Sequence, residues 1–216
     1  MNNLVKRIIT SLILISILIP GLFYYKNIWL FLVILVTIIS YLELSNLIKK
    51  IFRKNKIKIF FINLIGLCYF LFFAYVANDF AKLSANMFFV LSICVFSDIG
   101  GYVIGKTIGG KKLTKISPNK TVSGTIGSFI FSLVPLIIIW SLYSDRINLG
   151  LIKLLILTII LSLICQVGDL FISFLKRKAN VKDTGTILPG HGGLLDRIDG
   201  ILFVVPVAYL INETFY

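Results

Sequence analysis

The sequence predicts an all-α, polytopic integral membrane protein of about seven transmembrane helices with a cytoplasmic N-terminus, and three observations carry that prediction. A mean hydropathy of +0.98, with 58% hydrophobic and 14% charged residues over 216 positions, is far too apolar for a soluble domain of this size. Seven segments come close to the roughly 20 apolar residues that a spanning helix needs: approximately 8–25, 28–48, 57–77, 86–105, 124–143, 151–173 and 199–212. Spanning backbone must satisfy its own hydrogen bonds, which excludes an open sheet. The loops then separate by charge. Lys6 and Arg7 precede the first segment, six cations (Lys49, Lys50, Arg53, Lys54, Lys56, Lys58) follow the second, five (Lys106, Lys111, Lys112, Lys115, Lys120) the fourth, and five (Lys176, Arg177, Lys178, Lys182, Arg197) the sixth. Only Lys26, Lys82, Arg146 and Lys153 fall on the other side, the asymmetry expected when the basic loops are cytoplasmic.

The same asymmetry accounts for the net charge of +13 without nucleic acid, since cytoplasmic cations lie near anionic headgroups. Lys6 and Arg7 ahead of an apolar stretch resemble a signal peptide, but no small-residue cleavage site follows, so the segment is kept as a helix. Residues 1–85 read as an N-terminal group of three helices. Residues 86–216 read as a catalytic membrane domain with cytoplasmic loops at 106–123 and 174–198. Glu43 lies near the cytoplasmic end of the second segment, where its carboxylate can snorkel, and it reads as structural. Tyr24, Tyr25, Trp29, Trp140 and Tyr143 at segment ends read as interface anchors. Cys68, Cys94 and Cys165 stand singly in apolar runs, so neither a disulfide framework nor a zinc site is indicated.

In the fourth segment, Asp98 would cost about 2.5–3.5 kcal/mol at a helix centre, which points to pairing with a cation or to a metal site. Gly100, Gly105, Lys106 and Thr107 match the pattern of a phosphate-binding loop, but that loop must follow a strand and open a helix. Here the pattern sits inside an apolar helix, and its glycines read instead as sites of close helix approach.

Chemistry-bearing residues concentrate between Gly168 and Gly200, which hold four of the nine acids and the only histidine. Asp169, Ser173 and Lys176 or Arg177 fall on one side of a helix by their spacing. A loop follows in which Pro189, Gly190, Gly192 and Gly193 bracket His191, so backbone can approach an anion closely. Asp196, Arg197 and Asp199 then begin the last apolar run, where Asp196 and Asp199 could also pair simply with Arg197 and Lys182.

Ser173, Lys176, Arg177, Lys182, Asp183, Pro189, His191, Gly192, Gly193, Asp196, Arg197 and Asp199 together resemble the signature of the phosphatidate cytidylyltransferase (CDP-diacylglycerol synthase) family. Ser117, Pro118, Lys120, Thr121 and Gly124 resemble that family's second motif, with Val122 and Ser123 where it commonly has Trp and Glu, and Asp98 resembles its Asp-x-x-x-Tyr segment. The resemblance covers about residues 94–205, and the N-terminal helices match only in character.

The resemblance implies transfer of the cytidylyl group of CTP to phosphatidic acid, giving CDP-diacylglycerol and pyrophosphate at the cytoplasmic face of the cell's inner membrane. It implies Mg²⁺, as two divalent or mixed metal ions on Asp169, Asp196 and Asp199, with Asp98 or Asp183 in support. Lys176, Arg177, Lys182 and Arg197 would hold the triphosphate, and Ser117, Lys120, Thr121 and Ser173 the same group or the lipid phosphate. His191 would protonate or hydrogen-bond the leaving pyrophosphate. The partners expected are CTP, phosphatidic acid and membrane lipids, with a homodimer left open. Two other readings remain at this point. One is a CTP-dependent lipid kinase or nucleotidyltransferase with another lipid acceptor. The other is a cation transporter, against which stand the clustering of ionisable groups at one face and the lack of a repeat.

Overall fold

The computed structural model describes residues 15–114, 116–143, 150–187 and 192–215, and they are predominantly helical. Residues 15–23 belong to α1; α2 (Lys26–Ile51), α3 (Lys56–Phe80), α4 (Ser84–Thr107), α5 (Val122–Tyr143), α6 (Leu151–Lys178) and α7 (Leu195–Phe215) follow. Among the described residues the only strand-like pairing is an isolated antiparallel bridge between Lys112 and Thr121. Five helices among the described residues, α2 to α6, are long and apolar enough to cross a membrane. Large apolar side chains such as Phe31, Ile65, Ile137 and Ile152 point outward on them, as lipid-facing residues do.

The helices run a few residues beyond the hydropathy reading, most plainly on either side of the α6–α7 connection. α6 runs on to Lys178 and α7 begins at Leu195, so the segment expected as a loop over 174–198 is helical at both of its ends, over 174–178 and 195–198. Hydropathy windows reject charged residues, whereas helix ends accept them with the right sign. Lys176, Arg177 and Lys178 occupy the last turn of α6, and Asp196 the first turn of α7, each facing the favourable end of a helix dipole.

The chain divides into two compact units. The first joins Met1–Ser84 to Leu175–Ile198. The sequence-based division near residue 85 does not anticipate that second segment. In this unit α2 packs on α3, where the Trp29 indole donates to the Ala77 carbonyl at 3.2 Å and Tyr41 meets Phe70 edge to face at 6.2 Å. α6 ends here in a Schellman turn: Asn180, at φ 55°, follows Ala179, its N–H donates to Arg177 O and that of Val181 to Lys176 O. The chain therefore reverses directly after the basic triplet.

The second unit joins Ala85–Phe174 to Asp199–Tyr216. Its α4 and α5 meet along small residues, with Gly100 and Gly101 against Gly127 and Ser128, and Gly105 against Thr121 and Gly124. A Cβ on Gly127 would come within 2.6 Å of the Gly100 carbonyl oxygen. The glycines of the apparent phosphate loop thus serve close helix approach, and Thr107 donates its hydroxyl to Val103 O within the helix. α6 and α7 cross as closely at Gly168 and Gly200: a Cβ on Gly168 would sit 2.7 Å from Asp199 O. Deeper in the unit, Ser97 and Ser162 are fully buried and share a hydrogen bond of 3.0 Å.

Gly127→Val overpacks the α4–α5 seam, and its expected cost is about 1–3 kcal/mol. In detergent it should lower the melting temperature clearly, whereas Gly150→Ala, which has open space around it, should leave it unchanged. Equal melting temperatures would show that the seam tolerates bulk.

Candidate active site

In the first unit, the sequence-predicted residues Lys176 and Asp196 form an ion pair of 2.6 Å with 13% and 6% side-chain exposure. The partner of Asp196 is thus Lys176, across the turn, rather than the nearby Arg197 or Lys182. Asp196 Oδ2 also accepts the backbone N–H of Thr184 at 2.8 Å, that of Gly193 at 3.1 Å, and the Thr184 hydroxyl at 3.0 Å. Burial pushes the Asp196 carboxyl up. The Lys176 ammonium and the N–H groups of Thr184 and Gly193 outweigh it and hold that carboxyl below the usual carboxylate range. Gly192, at φ 85°, adopts a backbone shape that glycine permits, and it packs beside Asp183 and Asp196.

Glu43 belongs to the same cluster, and the snorkelling expected of it is overturned. Its residue is 4% exposed, and its carboxylate accepts Leu194 N–H at 3.1 Å, Leu195 N–H at 2.9 Å and the Thr184 hydroxyl at 2.7 Å. The two N–H groups are donors at the start of α7, which a carboxylate from α2 meets. A signal for this existed in the sequence, since Thr37, Ser40, Glu43 and Leu47 repeat at helical spacing and are all buried on α2.

In the second unit, Lys120 forms an ion pair with Asp169, whose other oxygen accepts the Ser173 hydroxyl at 3.3 Å. The i, i+4 relation read from the sequence for Asp169 and Ser173 is therefore a direct contact. Lys120 ends a small loop folded on itself: Leu113 N–H donates to Lys120 O at 2.8 Å and Lys120 N–H to Ser117 O at 3.1 Å. Thr121 caps α5 by accepting Gly124 N–H at 3.1 Å. Ser123, which departs from the family pattern, donates to Gly109 O and ties the loop to the end of α4. Asp199 is 9% exposed, at the glycine crossing of α6 and α7, where its Oδ1 accepts Gly200 N–H at 2.8 Å.

The remaining expected site residues are placed as follows. Asp98 is exposed on α4, Arg177 and Arg197 are exposed on α6 and α7, and Lys182 and Asp183 are exposed in the α6–α7 connection. His191 and Pro189 lie outside the described residues. Among the described residues, neither unit by itself groups three His, Cys, Asp or Glu side chains as a metal site would.

Fold and clusters define a class: a helical membrane protein that gathers cations, carboxylates and backbone donors at helix ends, the equipment for handling phosphorylated ligands. The chain's residues 49–215 match the model of the cytidylyltransferase family, and the chain belongs to that family. It is 36% identical over 223 residues to the phosphatidate cytidylyltransferase of Rickettsia typhi, a match covering 98% of this chain and 92% of that protein. It is 42% identical over 152 residues to the phosphatidate cytidylyltransferase of Bacillus subtilis, covering 70% of this chain and 55% of that protein. The enzyme of that name from Staphylococcus saprophyticus is 49% identical over 121 residues, or 55% of this chain and 45% of that protein. The chain thus spans about half the length of the Bacillus and Staphylococcus relatives it matches.

Replacing Asp196 with Asn leaves the Lys176 ammonium without its partner, a loss expected to cost about 3–5 kcal/mol for a buried pair. Because the folded carboxyl titrates below the ordinary aspartate value of about 3.9, its stabilisation is complete above that pH. It is lost as the pH falls through the folded value. Melting temperatures between pH 6 and pH 3 should therefore fall more steeply for the wild type than for Asp196→Asn. Parallel curves would mean that Asp196 contributes nothing through its charge.

Proposed function

We propose that this chain is an enzyme that transfers the cytidylyl group of CTP to phosphatidic acid, releasing pyrophosphate and forming CDP-diacylglycerol. The observation that carries the reading is the match along nearly the whole chain to a relative named phosphatidate cytidylyltransferase. In this reading the chain crosses the inner membrane of the cell seven times with its N-terminus in the cytoplasm. The five membrane-length helices and the one-sided distribution of Lys and Arg support it. The basic loops then face the compartment that holds CTP.

In the reaction, a phosphate oxygen of phosphatidic acid forms a bond to the α-phosphorus of CTP, and the bond from that phosphorus to the pyrophosphate oxygen breaks. Two polyanions meet and a third departs, so neutralising charge is the main task of the side chains. Lys176, Arg177, Lys182 and Arg197 take the triphosphate, with the two arginines able to grip paired oxygens. Lys120, with Ser117, Thr121 and Ser173 nearby in sequence or space, takes a phosphate by exchanging its contact with Asp169. His191 donates a proton to the leaving pyrophosphate.

Carboxylate oxygens are the donors that Mg²⁺ takes, and Asp169 and Asp199, which flank the glycine crossing in the second unit, are the residues that would hold it there. In the first unit, Asp196 has its Oδ2 engaged by Thr184 and Gly193 and its Oδ1 by Lys176, so it would offer an oxygen to a metal ion only when Lys176 transfers to a substrate phosphate. When bound, one or two such ions would supply further neutralisation of the reacting phosphates.

Detergent-solubilised protein supplied with labelled CTP, Mg²⁺ and phosphatidic acid should yield labelled CDP-diacylglycerol. Lys120→Ala and Asp169→Asn should each slow turnover by about 10²-fold or more. Labelled product with a different lipid acceptor would redirect the substrate assignment, and no labelled lipid under any of these conditions would refute the activity.

A further inference from the structure

Glu43 lies outside every motif that links this chain to its family's chemistry, yet its carboxylate is the meeting point of two separate stretches of the first unit. Three donors converge on it: the N–H groups of Leu194 and Leu195, which open α7, and the hydroxyl of Thr184, eleven residues before α7. Gly185 and Gly193 lie so close to it that a Cβ on either would collide with its oxygens. Among the described residues no Lys or Arg pairs with it. A carboxylate this buried is costly without a cation, and here it is compensated by the positive end of a helix and a hydroxyl.

The same Thr184 hydroxyl lies 3.0 Å from Asp196 Oδ2, and Asp196 holds Lys176. A single hydroxyl proton is therefore shared between two carboxylates, which places Glu43 one bridging hydroxyl away from the ion pair. We propose that Glu43 is a positioning residue for the nucleotide: it clamps the first turn of α7 and Thr184, and so sets where Lys182, Asp196 and Arg197 stand before CTP arrives. The proposal rests on the cytidylyl-transfer reading for its substrate, but its physical core does not.

A glutamine at position 43 keeps the shape but turns one acceptor into a donor, which then faces N–H groups. A threonine-to-valine change at 184 keeps the volume and removes the shared proton. Glu43→Gln and Thr184→Val should each raise the KM for CTP by about tenfold, leave the KM for phosphatidic acid within about twofold, and combine less than multiplicatively. Thr184→Ser should restore the wild-type KM for CTP. Thr37→Val, a buried change on α2 whose hydroxyl donates within its own helix to Val33 O, should leave both constants unchanged.

A role confined to stability would lower the amount of active enzyme, and hence the apparent kcat, with both KM values unchanged; that result overturns the proposal. Hydrogen exchange supplies a readout independent of activity. In Glu43→Gln the Leu194 and Leu195 amides, and in Thr184→Val the Thr184 and Gly193 amides, should exchange at least tenfold faster than in the wild type. If Glu43→Gln does not accumulate as folded protein, the Thr184 pair of variants decides alone, because their hydroxyl is present in one and absent in the other. Faster exchange with an inactive wild type would refute the substrate assignment and leave the clamp standing. Unchanged exchange would refute the clamp whatever the activity.

Discussion

A carboxylate held away from water must be met by donors or by a cation, and the segment from Leu175 to Ile198 is arranged around that requirement. Two acids, Glu43 and Asp196, divide the work. Glu43 meets the open N–H groups of α7, and Asp196 meets an ammonium and the N–H groups of the incoming loop. Thr184 stands between them and serves both. Each of these groups would be unfavourable alone: the helix start would have orphan donors, Lys176 an uncompensated charge, and the loop an unpaired backbone. Together they form a closed set of partners, which fixes Thr184, Gly193 and the first turn of α7 against Glu43 and Asp196.

The second unit relies on a different constraint. Inside a membrane, helices gain little from burying apolar surface against each other, since lipid tails are equally apolar, and close backbone approach takes over. The α4–α5 seam and the α6–α7 crossing at Gly168 and Gly200 are both of this kind. The crossing matters to chemistry because Asp169 and Asp199 are the next residues along from, and before, those two glycines. Packing that brings backbones together thus also brings these two acidic positions to the same level of the unit.

Much of this was legible in the sequence, and the limits have physical causes. Apolar run length located the helices, because membrane burial is a one-dimensional property of the chain. It missed the last turn of α6 and the first of α7, since charged residues lower hydropathy while stabilising helix ends. The residues that bear chemistry were legible as a motif, but their partners were not. Lys120 and Asp169 are 49 positions apart, and no local pattern announces that they meet. Lys176 as the partner of Asp196 depends on the reversal at Asn180, whose left-handed backbone has only a weak signature in a residue type. Glu43 was readable as polar and buried from its spacing with Thr37 and Ser40. What it binds lies some 150 residues later and required coordinates.

The turn after α6 also separates three neighbouring cations by destination. Lys176 is directed inward to Asp196, while Arg177 and Lys178, each a further 100° around the helix, are exposed. Identical formal charges a single position apart therefore sit in different surroundings, one buried on a fixed acid and two at the exposed surface. Permuting charge within this triplet would preserve every sum taken over the sequence and still give a different protein.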